Sequence, residues 1–211
     1  MVPNLRLDRV QRVRIHLNDV IGVTHLSETV GESGCGKTTI GHTIVRLHSP
    51  TEGSITFRGV DIFDLKASSN SEYTHNTQII FQDPYSSLDP RFTVQQCIEE
   101  PLIIHRIGTS HERKEKVLSL MKDVGLNPEQ LTKFPHEFSG GQRQRIGVAR
   151  ALALKPLLIV CDEPVSALDV SIQAQILNLM QDLQRKYGLT YLFISHNLAV
   201  VNHLCDRIIV M

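Results

Sequence analysis

Three short apolar runs punctuate the chain: residues 79–81 (Ile-Ile-Phe), 157–161 (Leu-Leu-Ile-Val-Cys) and 191–194 (Tyr-Leu-Phe-Ile). None alternates with polar residues, which is the pattern of a strand covered on both faces. Between the second and third runs, Ile172, Ile176, Leu179, Met180 and Leu183 recur at helical spacing, and Gly188 is placed to end that helix. Strand, helix and strand in this order predict a parallel βαβ unit. Residues 99–144 have a different character. Thr109 and Glu112 predict a capping box opening a helix with Val117, Met121 and Val124 on one face, broken by Gly125 and Pro128. The expected organisation is an α/β core of residues 1–98 and 145–211, with residues 99–144 inserted as a helical subdomain.

Composition narrows the class only slightly. The 211 residues are 41% hydrophobic and 21% charged, ordinary for a soluble globular protein. Lys+Arg and Asp+Glu both number 22, so no net charge argues for a nucleic-acid partner. Cys35, Cys97, Cys161 and Cys205 are scattered and form no C-x-x-C pair, which fits a reducing compartment and no zinc site. The N-terminal stretch is charged throughout, unlike a signal peptide. No run reaches the roughly 18 apolar residues of a membrane helix, because the best one, 151–161, contains Lys155 and Pro156.

Residues 31–38 (Gly-Glu-Ser-Gly-Cys-Gly-Lys-Thr) match the phosphate-loop pattern G-x-x-x-x-G-K-[ST]. Gly31, Gly34 and Gly36 allow successive backbone N–H groups, those of Glu32, Ser33 and Cys35 among them, to turn inward around phosphate oxygens. A helix over 37–47, with Ile40, Thr43, Ile44 and Leu47 on one face, is expected to direct its positive end at the same anion. Lys37 is expected to neutralise β/γ charge, the Thr38 hydroxyl to bind Mg²⁺, and Thr39 to complete the loop. The strand before the loop is less regular, since residues 26–30 place Glu28 where a buried strand is usually apolar.

The run at 157–161 ends in Asp162 and Glu163. An Asp ending a buried strand beside a phosphate loop can hold Mg²⁺, and Glu163, projecting the other way, can take a proton from attacking water as general base. Parallel strands bring their C-terminal ends together. His196, after the strand 191–194, is therefore expected near the γ-phosphate, and Gln82, after 79–81, near Mg²⁺ or the water. Of the ten histidines, His196 is the one with a chemical expectation.

Residues 138–145 (Phe-Ser-Gly-Gly-Gln-Arg-Gln-Arg) resemble the L-S-G-G-Q signature of ABC-type ATPases, with Phe in place of Leu. Ser139 is expected to cap the following helix and create a second anion site. The motif order also matches that family: phosphate loop, Gln82, signature, Asp162 and Glu163, the Ser-Ala-Leu-Asp stretch 166–169, and His196. The resemblance covers residues 31–211 and implies a P-loop NTPase core of ABC type, with a mainly parallel sheet and a helical insertion. It further implies ATP and Mg²⁺ as ligands. Ser139, Gly140, Gly141 and Gln142 would then contact the ATP of a second ATPase subunit in a head-to-tail homo- or heterodimer.

Segments 81–94, 100–102, 134–138 and 165–175 look like the ATPase subunits of bacterial oligopeptide/dipeptide importers, a branch shared with nickel and glutathione importers. That likeness implies two integral-membrane permease partners, a solute-binding protein acting indirectly, and a peripheral position at the cytoplasmic face of the inner membrane. In the family, further strands and an adenine-packing loop precede the phosphate loop. Here no aromatic residue precedes Phe57, leaving residues such as His16 as weaker stacking substitutes, and 19–30 is shorter and more polar. The N-terminal antiparallel part is thus expected to be curtailed. With a chain ending inside the strand 207–211, a truncated, inactive copy is one competing expectation. A DNA-repair type ATPase is another, disfavoured because neither long heptads nor paired cysteines occur.

Overall fold

The computed structural model describes residues 14–16, 26–30, 36–195 and 207–210. A five-stranded parallel sheet forms the centre, in the order β5-β6-β7-β2-β8. Its strands are β2 (Leu26–Val30), β5 (Thr77–Ile80), β6 (Leu158–Asp162), β7 (Thr190–Ile194) and β8 (Arg207–Val210). A small second sheet pairs β1 (Arg14–His16) parallel to β3 (Ser54–Phe57), and β3 antiparallel to β4 (Val60–Asp61). Antiparallel pairing among the described residues is therefore confined to the β3–β4 hairpin.

Every residue of β6 and β7 is buried. Alternation along a strand divides these residues between two cores. Leu158, Val160, Leu192 and Ile194 face one way, packing with Ile44, Ile55, Phe57, Ile62 and Tyr73. Ile159, Cys161, Tyr191 and Phe193 face the other way, toward the larger helical core. This two-sided cover is why the runs are apolar without interruption. The polar segment 26–30 nonetheless forms a strand between β7 and β8, with backbone pairing on both edges. A strand's place in a sheet rests on its N–H and C=O groups, which every sequence without proline supplies.

Helix α1 (Lys37–Ile44) comes next in chain order and packs on β6 and β7. It is shorter than the pattern over 37–47 suggests. Val45 caps it, Arg46 takes φ 63, and Leu47 turns out to solvent at 53% exposure. The amides of Arg46 and Leu47 bond back to the carbonyls of Thr43 and His42, closing the helix end. Leu47 therefore does not share the buried face of Thr43 and Ile44. Helix α2 (Ala67–Asn76) follows, its Tyr73 hydroxyl donating to the Ile44 carbonyl at 2.5 Å.

Helices α3 (Val94–Ile104), α4 (Ser110–Asp123) and α5 (Gly140–Leu152) form the helical part. Each opens with a capping box: Thr93 with Gln96, Thr109 with Glu112, and Ser139 with Gln142. Val117, Met121 and Val124 are fully buried, as the spacing predicts. Inside this part Glu99, only 7% exposed, accepts from Arg113 Nε at 2.8 Å and from Gln95 at 3.2 Å. Helix α6 (Val170–Tyr187) links β6 to β7, and Gly188 ends it in the left-handed conformation at φ 66. No helix of the described residues is long and apolar enough to cross a membrane.

Candidate functional site

The strand register decides what meets at the sheet edge. Ile80 pairs with Cys161, Asp162 with Ile194, and Ile194 with Thr29. All these strands run the same way, so Gln82, Asp162 and Glu163 and the start of α1 emerge together. Gly36 precedes α1 at φ 101, in the left-handed region that favours glycine, and its carbonyl accepts from the Ile40 amide. Lys37 is 7% exposed at the first turn, while Thr38 and Thr39 face solvent. Gly31, Glu32, Ser33, Gly34 and Cys35 of the loop lie outside the described residues, as does His196.

Two oxygen-bearing groups meet at the first turn of α1. The Thr38 hydroxyl donates to Asp162 Oδ1 at 3.0 Å. Asp162 is only 4% exposed, and burial pushes its carboxyl above the usual carboxylate range, although the Thr38 hydrogen bond and the neighbouring His42 ring pull it down. A hydroxyl and a buried carboxylate side by side are hard oxygen donors that suit Mg²⁺. The charge that burial penalises is one that a divalent cation would compensate.

A second pair sits beside the first. Gln82 Nε2 donates to Glu163 Oε2 at 3.0 Å and lies 3.4 Å from Ser166 Oγ. The Ser166 hydroxyl donates to the Glu163 carbonyl at 3.1 Å, and the Glu163 amide donates to the Ile194 carbonyl at 2.9 Å. Glu163 takes φ 44, a left-handed conformation costing on the order of 1–3 kcal/mol for a residue with a side chain. The surrounding bonds hold it there, with the carboxylate against Gln82.

Two of the signature residues bond each other. Ser139 Oγ accepts from the Gln142 amide at 3.3 Å, and Gln142 Oε1 accepts from the Ser139 amide at 3.0 Å. Two of the orphan amides at the start of α5 are thereby satisfied. The glycines between them are explained by packing. A Cβ on Gly141 would lie 2.5 Å from Ile172 Cγ2 on α6, and one on Gly140 would lie 3.2 Å from Leu168 Cδ2. Gly141→Ala is therefore expected to cost about 1–3 kcal/mol by overpacking, since a β-branch methyl cannot swing away. Urea unfolding measures the loss, and adding Ile172→Ala should recover much of it; a silent Gly141→Ala would refute the close approach.

Two arginines without an assigned role tie the segment after Gln82 to α5. Arg143 lies 5.1 Å over the Tyr85 ring and donates to the Phe138 carbonyl at 2.8 Å. Arg150 donates to the Ser87 carbonyl at 2.6 Å. Their seven-residue spacing puts both on one face of a helix, a signal visible in the sequence. His42 is the other residue the motifs did not single out. It stands one helical turn beyond Thr38, and its Nε2 lies 3.3 Å from Asp162 Oδ2. The i, i+4 relation to Thr38 predicts a shared face but not what that face meets.

A parallel sheet with paired acids at its C-terminal edge, a glycine-led helix beside them and a capped Ser-Gly-Gly-Gln helix defines the class. The chain belongs to the ABC transporter family, whose sequence model matches residues 24–166. It is similar to the oligopeptide transport ATP-binding protein AppF of Bacillus subtilis (strain 168), at 57% identity over 86% of this chain and 56% of AppF. It is also 54% identical to OppF of the same organism over 86% of this chain and 60% of OppF. The chain thus spans little more than half the length of these relatives.

Among solved structures, it is similar to a dimeric ATP-binding cassette in a post-hydrolysis state bound to ADP and Pi. The TM-score is 0.77 at 30% identity, over 89% of this chain and 81% of that one. CbiO1 from Clostridium perfringens, part of the ABC transporter complex cbiONQ, gives a TM-score of 0.78 at 25% identity over 90% and 74% of the two chains. The fold is accordingly that of ABC-type P-loop ATPases.

Proposed function

We propose that this chain binds and hydrolyses ATP with Mg²⁺ as one half of a cassette dimer that powers import of oligopeptides or dipeptides. The observation that carries the proposal is the pairing of Thr38 with Asp162 and of Gln82 with Glu163 at one sheet edge. Thr38, Gln82 and Asp162 are the residues that would hold Mg²⁺, which supplies positive charge to the β/γ-phosphates when bound. The loop 31–39 and Lys37 cradle the phosphates; Glu163 takes the proton of the attacking water; His196 holds that water against the γ-phosphate. Ser139, Gly140, Gly141 and Gln142 close on the nucleotide of the partner cassette, a reading supported by the exposed cap residue Ser139 and the dimeric structural relative.

In this reading residues 99–144 act as the helical subdomain between core segments 1–98 and 145–211. The membrane partners are two permease subunits, with a solute-binding protein acting indirectly. The chain sits on the cytoplasmic face of the bacterial membrane and uses no nucleic acid. The oligopeptide transport role of AppF and OppF supports the peptide class over a DNA-repair role.

Thermal unfolding with Mg-ATP tests the binding step. A competent site gains RT ln(1 + [L]/Kd), about 2.7 kcal/mol at a hundredfold excess over Kd. No shift at millimolar Mg-ATP would instead mark a site that does not bind nucleotide.

A further inference from the structure

The buried carboxylate at the end of β6 has a neighbour on each oxygen. Thr38 occupies Oδ1 at 3.0 Å, and His42 Nε2 lies 3.3 Å from Oδ2, off the line of a straight hydrogen bond. Both come from α1, four residues apart, so one helix face grips the carboxylate from two directions. The imidazole is itself held. Its Nδ1 lies 3.4 Å from His48 Nε2, and its ring meets the Phe81 edge at a centroid distance of 6.2 Å. The partners select the tautomer. The tautomer that turns Nε2–H toward Asp162 accepts at Nδ1 from His48 Nε2–H, since the other tautomer turns a lone pair toward the carboxylate.

We propose that His42 is a positioning residue for Asp162, holding Oδ2 so that Oδ1, beside the Thr38 hydroxyl, is the oxygen presented to a divalent cation. This inference rests on the Mg-ATP reading above. Its physical basis is asymmetry. When the Thr38 hydroxyl turns to a cation it releases Asp162, while the approach of His42 to Oδ2 remains to orient the carboxylate. Carboxylates that ligate metals work best when their second oxygen is engaged, and losing such a support typically weakens metal affinity about 10–100-fold.

The test uses the purified full chain with a non-hydrolysable ATP analogue and Mn²⁺, an EPR-visible stand-in for Mg²⁺. His42→Ala is expected to weaken Mn²⁺ binding about 10–100-fold, with nucleotide binding in EDTA unchanged within twofold. His42→Gln, whose amide nitrogen reaches the place of Nε2, is expected to restore Mn²⁺ binding to within a few-fold of wild type. Unchanged Mn²⁺ affinity in His42→Ala overturns the proposal. So does an equal loss of nucleotide binding in EDTA, or a failure of His42→Gln to rescue, either of which marks a merely structural ring. If the wild-type chain itself binds no Mn²⁺–nucleotide, the Mg-ATP reading falls as well; wild-type binding with a silent His42→Ala sinks only the positioning role.

Discussion

Glu163→Gln is expected to lower ATP turnover by about 10²–10⁴-fold while nucleotide binding survives, the usual range for loss of a general base. The substitution is close to isosteric. Glutamine keeps an oxygen for Gln82 Nε2, now 3.0 Å from Oε2, and leaves the Glu163 amide free to bond the Ile194 carbonyl as before. Its amide cannot take a proton from water, so only the chemical step is removed. The main chain at φ 44 also remains equally tolerant, because Glu and Gln share the same Cβ constraint. Phosphate release under saturating Mg-ATP, with nucleotide binding followed separately, separates the two effects. Hydrolysis at the wild-type rate would remove Glu163 from the mechanism, whereas loss of binding would show that its role is structural.

Ile146→Ala should destabilise the protein by about 2–5 kcal/mol, the range for truncating a fully buried aliphatic side chain. Ile146 is 0% exposed and belongs to the core that includes Val94, Ile98, Leu102, Val117, Met121 and Val124. Helix α5 packs on both α3 and α4, so this side chain fastens those two helices to the one that Ser139 caps. A cavity there cannot collapse easily, because three helices with separate caps fix its walls. Urea unfolding should show a lower midpoint at an unchanged slope. A loss below about 1 kcal/mol would mean that the three helices close around the gap.

Much of this molecule was legible because its signals are local. The runs at 157–161 and 191–194 became β6 and β7 within one residue at each end, since strands buried on both faces need continuous apolar sequence. Thr109 and Glu112 foretold the start of α4, because a capping box closes within four residues. Gly188 ended α6 where its left-handed preference placed it. Leu47 misled for a related reason. Its spacing fits the helix, but the left-handed turn at Arg46 carries it to the surface.

The candidate residue types, their order and the strands and caps that present them are legible in the chain alone. The Asp162–Glu163 pair and the family resemblance needed nothing more than chain order. Only the tertiary structure decided which groups touch. Gln82 and Glu163 are 81 residues apart, and Thr38 and Asp162 are 124 apart, yet each pair meets within 3.0 Å. The parallel register makes those meetings, through hydrogen bonds that no side-chain pattern encodes. His42 shows the difference most plainly: its place one turn after Thr38 was readable, but its contact with Asp162 exists because Gly41 lets α1 lie against Val160 and Ile194.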